Sequence, residues 1–262
     1  MTGQIIHLLA IGAGSVCGLM LLLWMLHFPL RNAAIVDAGW AGGLAMLAVI
    51  YASLGGGYAT RALLITAMAT LWGLRLALYL LFTRVVGHPE EGRYVELRRQ
   101  WGGNLGVKFL FFFQAQALLC VLLSVPFLLP ALNRAPQLSA FEYAGAALWI
   151  IAWCGETVAD FQLQRFKMHP LNRGRICRIG LWKYSRHPNY FFEWLVWVAF
   201  ALFALGSPGG VLALPAPILM LFFLFRVTGI PATEAQALRS KGDSYREYQR
   251  STSAFVPWFP KS

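Results

Sequence analysis

Seven stretches of about 20 mainly apolar residues follow one another along the chain, each long enough for an α-helix to cross the hydrocarbon core of a bilayer. They run approximately over Ile5–Leu26, Ala34–Leu54, Ala62–Phe82, Val107–Leu129, Tyr143–Phe161, Asn189–Leu205 and Val211–Val227. The fifth and sixth are the most polar, because Glu156, Asp160 and Glu193 fall within them. The expected fold class is all-α: a polytopic membrane helical bundle of about seven transmembrane helices, forming a single domain over residues 1–262. Two connections, Thr83–Gly106 and Gln162–Pro188, are too long to be turns, and the tail Gly229–Ser262 adds a third extramembrane piece. Within that tail Pro231 is expected to end the last membrane helix, followed by a polar helix over Thr233–Gln249. Gly55–Gly57 reads as a short flexible turn.

Composition sharpens this picture. Of the 262 residues 58% are hydrophobic and 13% charged, about half the charged share of a soluble domain. The net charge of +11 would suit nucleic acid in a soluble protein, so the placement of the basic residues decides. The connections after the first, third and fifth segments and the tail hold 19 of the 22, counting Lys108 and Arg226 at segment ends. By the positive-inside rule the amino terminus lies outside and the carboxyl terminus in the cytoplasm. Lipid phosphates account for such loops, and no nucleic-acid partner is expected. The first apolar run has no basic residue before it and exceeds a cleaved signal's core, so it reads as a retained helix. Cys17, Cys120, Cys154 and Cys177 are widely spaced without a CxxC pattern, which argues against disulfides and structural metal.

An ionisable side chain at bilayer depth costs roughly 2.5–3.5 kcal/mol on insertion scales and calls for a partner, a cavity or a function. Asp37, Arg75, Gln114, Gln116, Glu156, Asp160 and Glu193 are such positions. An Asp37–Arg75 ion pair, with Glu156 and Asp160 paired to Arg165 and Lys167 at the surface, is the purely structural reading. Glu156 and Asp160 are four residues apart, as are Asn189 and Glu193, so each pair shares a helix face. Four polar groups on two helices favour a polar cavity over simple anchoring.

Between the fifth and sixth segments lies Asn172-Arg-Gly-Arg-Ile-Cys-Arg-Ile-Gly-Leu-Trp-Lys-Tyr-Ser-Arg-His-Pro-Asn-Tyr-Phe-Phe-Glu193, with seven basic residues from Arg165 to Arg186. Guanidinium groups match phosphate oxygens in bidentate fashion, so Arg173, Arg175, Arg178 and Arg186 suit a nucleotide phosphate. Pro188 fits the first turn of the following helix, whose free N–H groups and dipole favour an anion. No GxGxxG or Walker loop is present, so a Rossmann domain is not the means of binding.

The run Gly180-Leu-Trp-x-Tyr-x-Arg-His-Pro-Asn-Tyr-Phe-x-Glu193 resembles the signature of the steroid 5-alpha-reductase family and its bacterial membrane relatives. The tail Asp243-x-Tyr-x-x-Tyr248-Gln-x-x-Thr-Ser-x-Phe-x-Pro257 is similar to that group's ending, and Ile35-Val-Asp37-x-x-Trp40 with Glu91-x-Arg-Tyr94 resembles its bacterial branch. Arg-His-Pro-x-Tyr alone also occurs in isoprenylcysteine carboxyl methyltransferases and membrane sterol reductases. The resemblance implies that Asp160, Arg175, Arg178, Asn189 and Glu193 line an NADPH site, with Tyr184, His187 and Tyr245 as neighbours. Glu156, Lys167, Asn172, Arg173 and Arg186 complete the expected cofactor set, and no metal is expected. Helices one to four would form the substrate side and residues 156–262 the cofactor side. The chain departs from the animal enzymes at Glu156, where they carry Asn, and at Trp72, which takes the place of an active-site tyrosine; their Gln-Glu-Leu-Pro motif has no literal copy.

The activity so implied is NADPH-dependent reduction of the double bond of an apolar conjugated enone, a 3-oxo-delta-4 steroid or similar lipid. Hydride would go to the beta carbon. Asp37, kept protonated, would donate a hydrogen bond to the carbonyl, with Tyr94 as the alternative donor. Substrate would enter from the bilayer between helices bearing Trp24, Trp40, Trp72, Phe111 and Phe112, although such aromatics more often serve packing. The expected setting is a bacterial inner membrane, with a monomer whose cofactor site faces the cytoplasm. Rival readings are an S-adenosylmethionine-dependent membrane methyltransferase and a lipid or ion transporter; the arginines favour the reductase, because NADPH carries three phosphates and S-adenosylmethionine none.

Overall fold

A computed structural model describes residues 2–227 and 229–260. In chain order the helices are α1 (Thr2–Leu30), α2 (Ile35–Gly55), α3 (Ala59–Leu80), α4 (Gly92–Trp101), α5 (Leu105–Leu123), α6 (Val125–Leu132), α7 (Ala140–Met168), α8 (Pro188–Ala204), α9 (Pro215–Phe222), α10 (Ile230–Lys241) and α11 (Asp243–Ser251). Wider π turns extend α3 over Leu81–Val85 and α9 over Phe223–Val227. Among the described residues there is no strand, only an isolated bridge between Ser185 and Ser253.

Among the described residues five stretches are long and apolar enough to cross a membrane: α1, α2, α3 with its π turn, α5, and the run Gly210–Lys241 that contains α9. The other two expected spans differ for physical reasons. The 17 residues of α8 rise about 25 Å at 1.5 Å per residue, short of a core about 30 Å thick. The 29-residue α7 has the length, but its apolar character is interrupted by Glu142, Glu156, Asp160, Arg165 and Lys167.

The chain divides into two compact units, one running to Tyr143 together with Phe203–Ala213, the other comprising Ala144–Leu202 and the residues from Leu214. In the first unit α2 is the central helix, packing against α1, α3, α5 and α6. It can do so because Gly39, Ala41, Gly43, Ala45 and Ala48 are buried, and small residues let helix backbones approach closely. By contrast α1 buries one narrow stripe, Leu8, Gly12, Val16 and Met20, at every fourth position. The expected fourth segment is broken after Leu123, because Pro126 lacks an N–H and its ring cannot follow an uninterrupted helix. Ser124 joins the two pieces, its Oγ donating to the Val121 carbonyl at 2.7 Å and lying 3.0 Å from the Tyr51 hydroxyl.

In the second unit Leu224, Ile230 and Phe255 form a core joined by Tyr190, Phe191, Trp194 and Leu221. Pro231 does not end a helix: it sits in the first turn of α10, where a missing N–H costs no hydrogen bond. The expected polar helix over Thr233–Gln249 is split at Gly242, whose φ of +55° is readily adopted only by a residue without Cβ.

One buried ion pair organises the far end of the first unit. Arg61, 1% exposed, donates to the Glu142 carboxylate. It also donates to the carbonyls of Asn133 at 3.0 Å, Ala135 at 2.7 Å and Gln137 at 2.6 Å. Removing one partner strands a buried charge, at a cost of about 3–5 kcal/mol. Arg61→Met alone is therefore expected to lower the thermal midpoint of the detergent-solubilised protein sharply, and the double variant Arg61→Met/Glu142→Leu to recover much of it. Unfolding followed by circular dichroism checks both.

Candidate functional site

The antiparallel pair α7 and α8 carries the principal polar group of the second unit. A Cβ on Gly155 would collide with the ring of Phe192, so glycine lets this aromatic of α8 lie directly on the α7 backbone. That approach brings the two polar faces together: Asn189 Nδ2 donates to Asp160 Oδ1 at 3.1 Å. Glu193, one turn along α8, accepts from Trp197 Nε1 at 3.2 Å. Glu156, Asp160 and Glu193 are 2%, 4% and 8% exposed. Arg165 and Lys167, further along α7, are exposed where these carboxylates are buried.

The connection from α7 to α8 is built to return to this level. Asn172 Nδ2 donates to the Phe166 carbonyl at 3.0 Å, satisfying an orphan acceptor at the end of α7. The chain then comes back, 19 residues after Gln162 and 23 after Ala159: the Leu181 N–H donates to Gln162 Oε1 and Trp182 Nε1 to the Ala159 carbonyl, each at 2.9 Å. The intervening loop, pinned beside Asp160, carries the basic residues. Arg173 and Arg175 are exposed, and among the described residues neither guanidinium has a carboxylate partner. Arg178 is tied at 3.2 Å to Glu247 and at 3.1 Å to the Ser244 carbonyl, with its guanidinium 5.3 Å from the Tyr248 ring centre. Tyr184 is half-buried, edge-on to Phe259.

Arg186 and His187, two residues expected to face nucleotide, are instead engaged with the tail. Arg186 Nε donates to Glu234 Oε1 at 2.7 Å and Nη1 to the carbonyls of Gln249 at 2.9 Å and Thr252 at 2.6 Å. His187 Nε2 lies 3.2 Å from Glu234 Oε1, while Gln249 Nε2 donates to Glu234 Oε2 at 2.8 Å. Burial, reinforced by the Glu234 charge, pushes the neighbouring Tyr245 hydroxyl up to about 12, so it stays protonated as a donor at neutral pH. Glu234 was not legible as a site residue in the sequence. The available signal was the scarcity of acids, 11 against 22 Lys and Arg, which makes each carboxylate in the basic tail a partner for one of the arginines.

In the first unit Asp37 and Tyr94 come together. Tyr94, 1% exposed, donates its hydroxyl to Asp37 Oδ1 at 2.8 Å. Arg93 donates to the other carboxylate oxygen and Arg84 stands 3.9 Å away. Glu91 in turn accepts from Arg93 at 3.1 Å and Arg84 at 3.3 Å, which orients both guanidinium groups. Asp37 thus accepts from Tyr94 and Arg93, with Arg84 within ion-pair distance. Burial, with the Asp37 charge adding to it, raises the Tyr94 hydroxyl well above its usual range. Of the aromatics expected to line a substrate path, Trp72 is buried against Trp40. Trp24 is committed to the Gly106 carbonyl at 2.9 Å, and Phe111 is exposed.

Removing the acceptor that joins the motif to the tail has a defined consequence. Glu234→Ala is expected to cost about 3 kcal/mol and to expose the chain after Thr252 to limited proteolysis, whereas Glu234→Gln should retain much of the protection. Cleavage time courses on the two variants test this.

Comparison with known proteins gives a family without an activity. A family model described as a protein of unknown function (DUF1295) matches residues 23–252. An uncharacterised protein of the fission yeast Schizosaccharomyces pombe is 26% identical over 269 residues, covering 90% of this chain and 75% of the yeast protein. No solved structure matches significantly.

Proposed function

The chain belongs to the DUF1295 family, and we propose that this member is a membrane-embedded, NADPH-dependent reductase of apolar conjugated enones, such as a 3-oxo-delta-4 steroid or a similar lipid. The observation that carries the reading is the Asp160–Asn189 hydrogen bond beside the buried Glu193, reached by a loop bearing exposed Arg173 and Arg175. This donor set fits a phosphorylated nucleotide. Amide and carboxylate groups match a carboxamide or ribose, and guanidinium groups match phosphates.

Bound NADPH would supply a hydride to the beta carbon of the enone. Asp160, Asn189 and Glu193 would hold and orient the nucleotide, with Arg173, Arg175 and Arg178 on its phosphates; Glu156, Lys167 and Asn172 would shape the surroundings. Arg186, His187 and Tyr245 would act through the Glu234 network, fixing the loop rather than touching the ligand. Tyr94 would turn its single hydroxyl proton from Asp37, where it rests, to the carbonyl oxygen as charge develops there. The alpha carbon of the enolate then takes a proton from solvent or an acid group, so a hydride and a proton saturate the bond. The reading extends to seven spans with α7 and α8 included, an outer amino terminus, a cytoplasmic cofactor side, a bacterial inner membrane and a monomeric protein.

Nucleotide released by denaturing the detergent-purified protein, identified by mass spectrometry, tests the proposal. NADP(H) at about one per chain is expected, with Asn189→Ala/Glu193→Ala empty. S-adenosyl compounds would replace the reading with a methyltransferase, and absence of both classes would favour transport. Tyr94→Phe is expected to retain nucleotide while slowing enone reduction about a hundredfold, within the usual range for loss of a positioned proton donor.

A further inference from the structure

A cavity of about 190 Å³ opens at the end of α1, lined by His27, Phe28, Arg31 and Arg98. We propose that this notch binds the phosphodiester of a membrane glycerophospholipid. The two guanidinium groups differ in how they are held. Arg98 is prearranged: Nε and Nη2 meet the two oxygens of Glu90 at 2.7 and 3.0 Å, and the group stands 4.6 Å from the centre of the Phe109 ring. Glu90 is itself fixed by the Ala33 N–H at 2.7 Å. Arg31 is exposed, and among the described residues no carboxylate faces it, so the notch holds one more positive charge than negative.

The backbone presets Arg31. It has φ +50°, a left-handed conformation usual for glycine after a helix. Bonds from the Arg31 N–H to the Phe28 carbonyl at 3.2 Å and from the Asn32 N–H to the His27 carbonyl at 3.3 Å hold it there.

The surroundings select a lipid over a free anion. Leu26, Phe28 and Leu30 are 40%, 50% and 49% exposed immediately before Arg31, so the cationic notch lies where an apolar helix surface gives way to polar chain. Trp24 and Trp101 belong to the adjoining aromatic cluster, and tryptophan is the residue characteristic of headgroup depth. A phosphodiester between the two arginines would leave its acyl chains along the exposed face of α1.

The full-length protein, purified in detergent, is titrated with phosphatidylglycerol or phosphatidylcholine and bound lipid counted by native mass spectrometry, with and without inorganic phosphate. Both lipids are expected to bind, because both carry the phosphodiester, and phosphate at millimolar concentration should not displace them. The informative variant is Arg31→Gly, which removes the guanidinium while easing the left-handed backbone, so its thermal midpoint should be unchanged or raised. It is expected to weaken lipid binding about tenfold, with Arg31→Lys intermediate. Equal lipid binding by Arg31→Gly and the parent would overturn the proposal, as would displacement of lipid by phosphate at millimolar concentration, which would make the notch a free-anion site.

Discussion

A charge in an apolar setting must find its partner within the protein, and the helices of this chain are arranged so that it does. Arg61 shows the rule in full. Its guanidinium takes up Glu142 and three carbonyls of the connection between α6 and α7, so a stretch without regular structure is fixed to the first turn of α3. Glu142 in turn accepts from the Ser139 N–H at 2.6 Å. The stabilisation matters less than the specificity, since a buried pair adds little net energy but penalises any arrangement that separates it.

The same rule divides the basic residues into two kinds. Arg84 and Arg93 are engaged by Asp37 and Glu91, Arg98 by Glu90 and Arg186 by Glu234. Those side chains are structural wherever their carboxylate is present. Arg31, Arg173 and Arg175 remain as exposed cations, and they are the groups able to meet an anion from outside. A count of arginines in a loop therefore overstates its capacity for phosphate, and the pairing pattern is the better guide.

How much was legible in the sequence follows from range. The apolar runs are local, and α1, α2 and α3 lie where their composition predicts. The break at Pro126 is also local, but the apolar residues on either side mask it. The fifth apolar segment ends at Phe161 while its helix continues to Met168, because continuation past the apolar core leaves no hydrophobic trace. Asn189 and Asp160 could be matched because each sits one helical turn from a glutamate, Glu193 and Glu156. Glu234 could not, since its bonds to Arg186 and His187 cross 48 and 47 positions and nothing in either segment names the other. The partners of Asp37 were hidden for the same reason: Arg84, Arg93 and Tyr94 come from beyond α3, past any helical spacing.

The π turn that ends α3 carries a consequence for how this chain tolerates change in length. Its wider loop closes with the Val86 N–H donating to the Leu81 carbonyl at 2.9 Å, five residues back, so the turn holds one residue more than an α-helix would. Deleting one residue between Leu81 and Val85 would restore ordinary winding and swing everything beyond it by about 100°. Arg84 would leave Asp37, and the start of α4 with Arg93 and Tyr94 would leave with it. The turn acts as a phase shifter: a single-residue insertion, absorbed within the helix, sets the angle at which the next segment delivers its side chains.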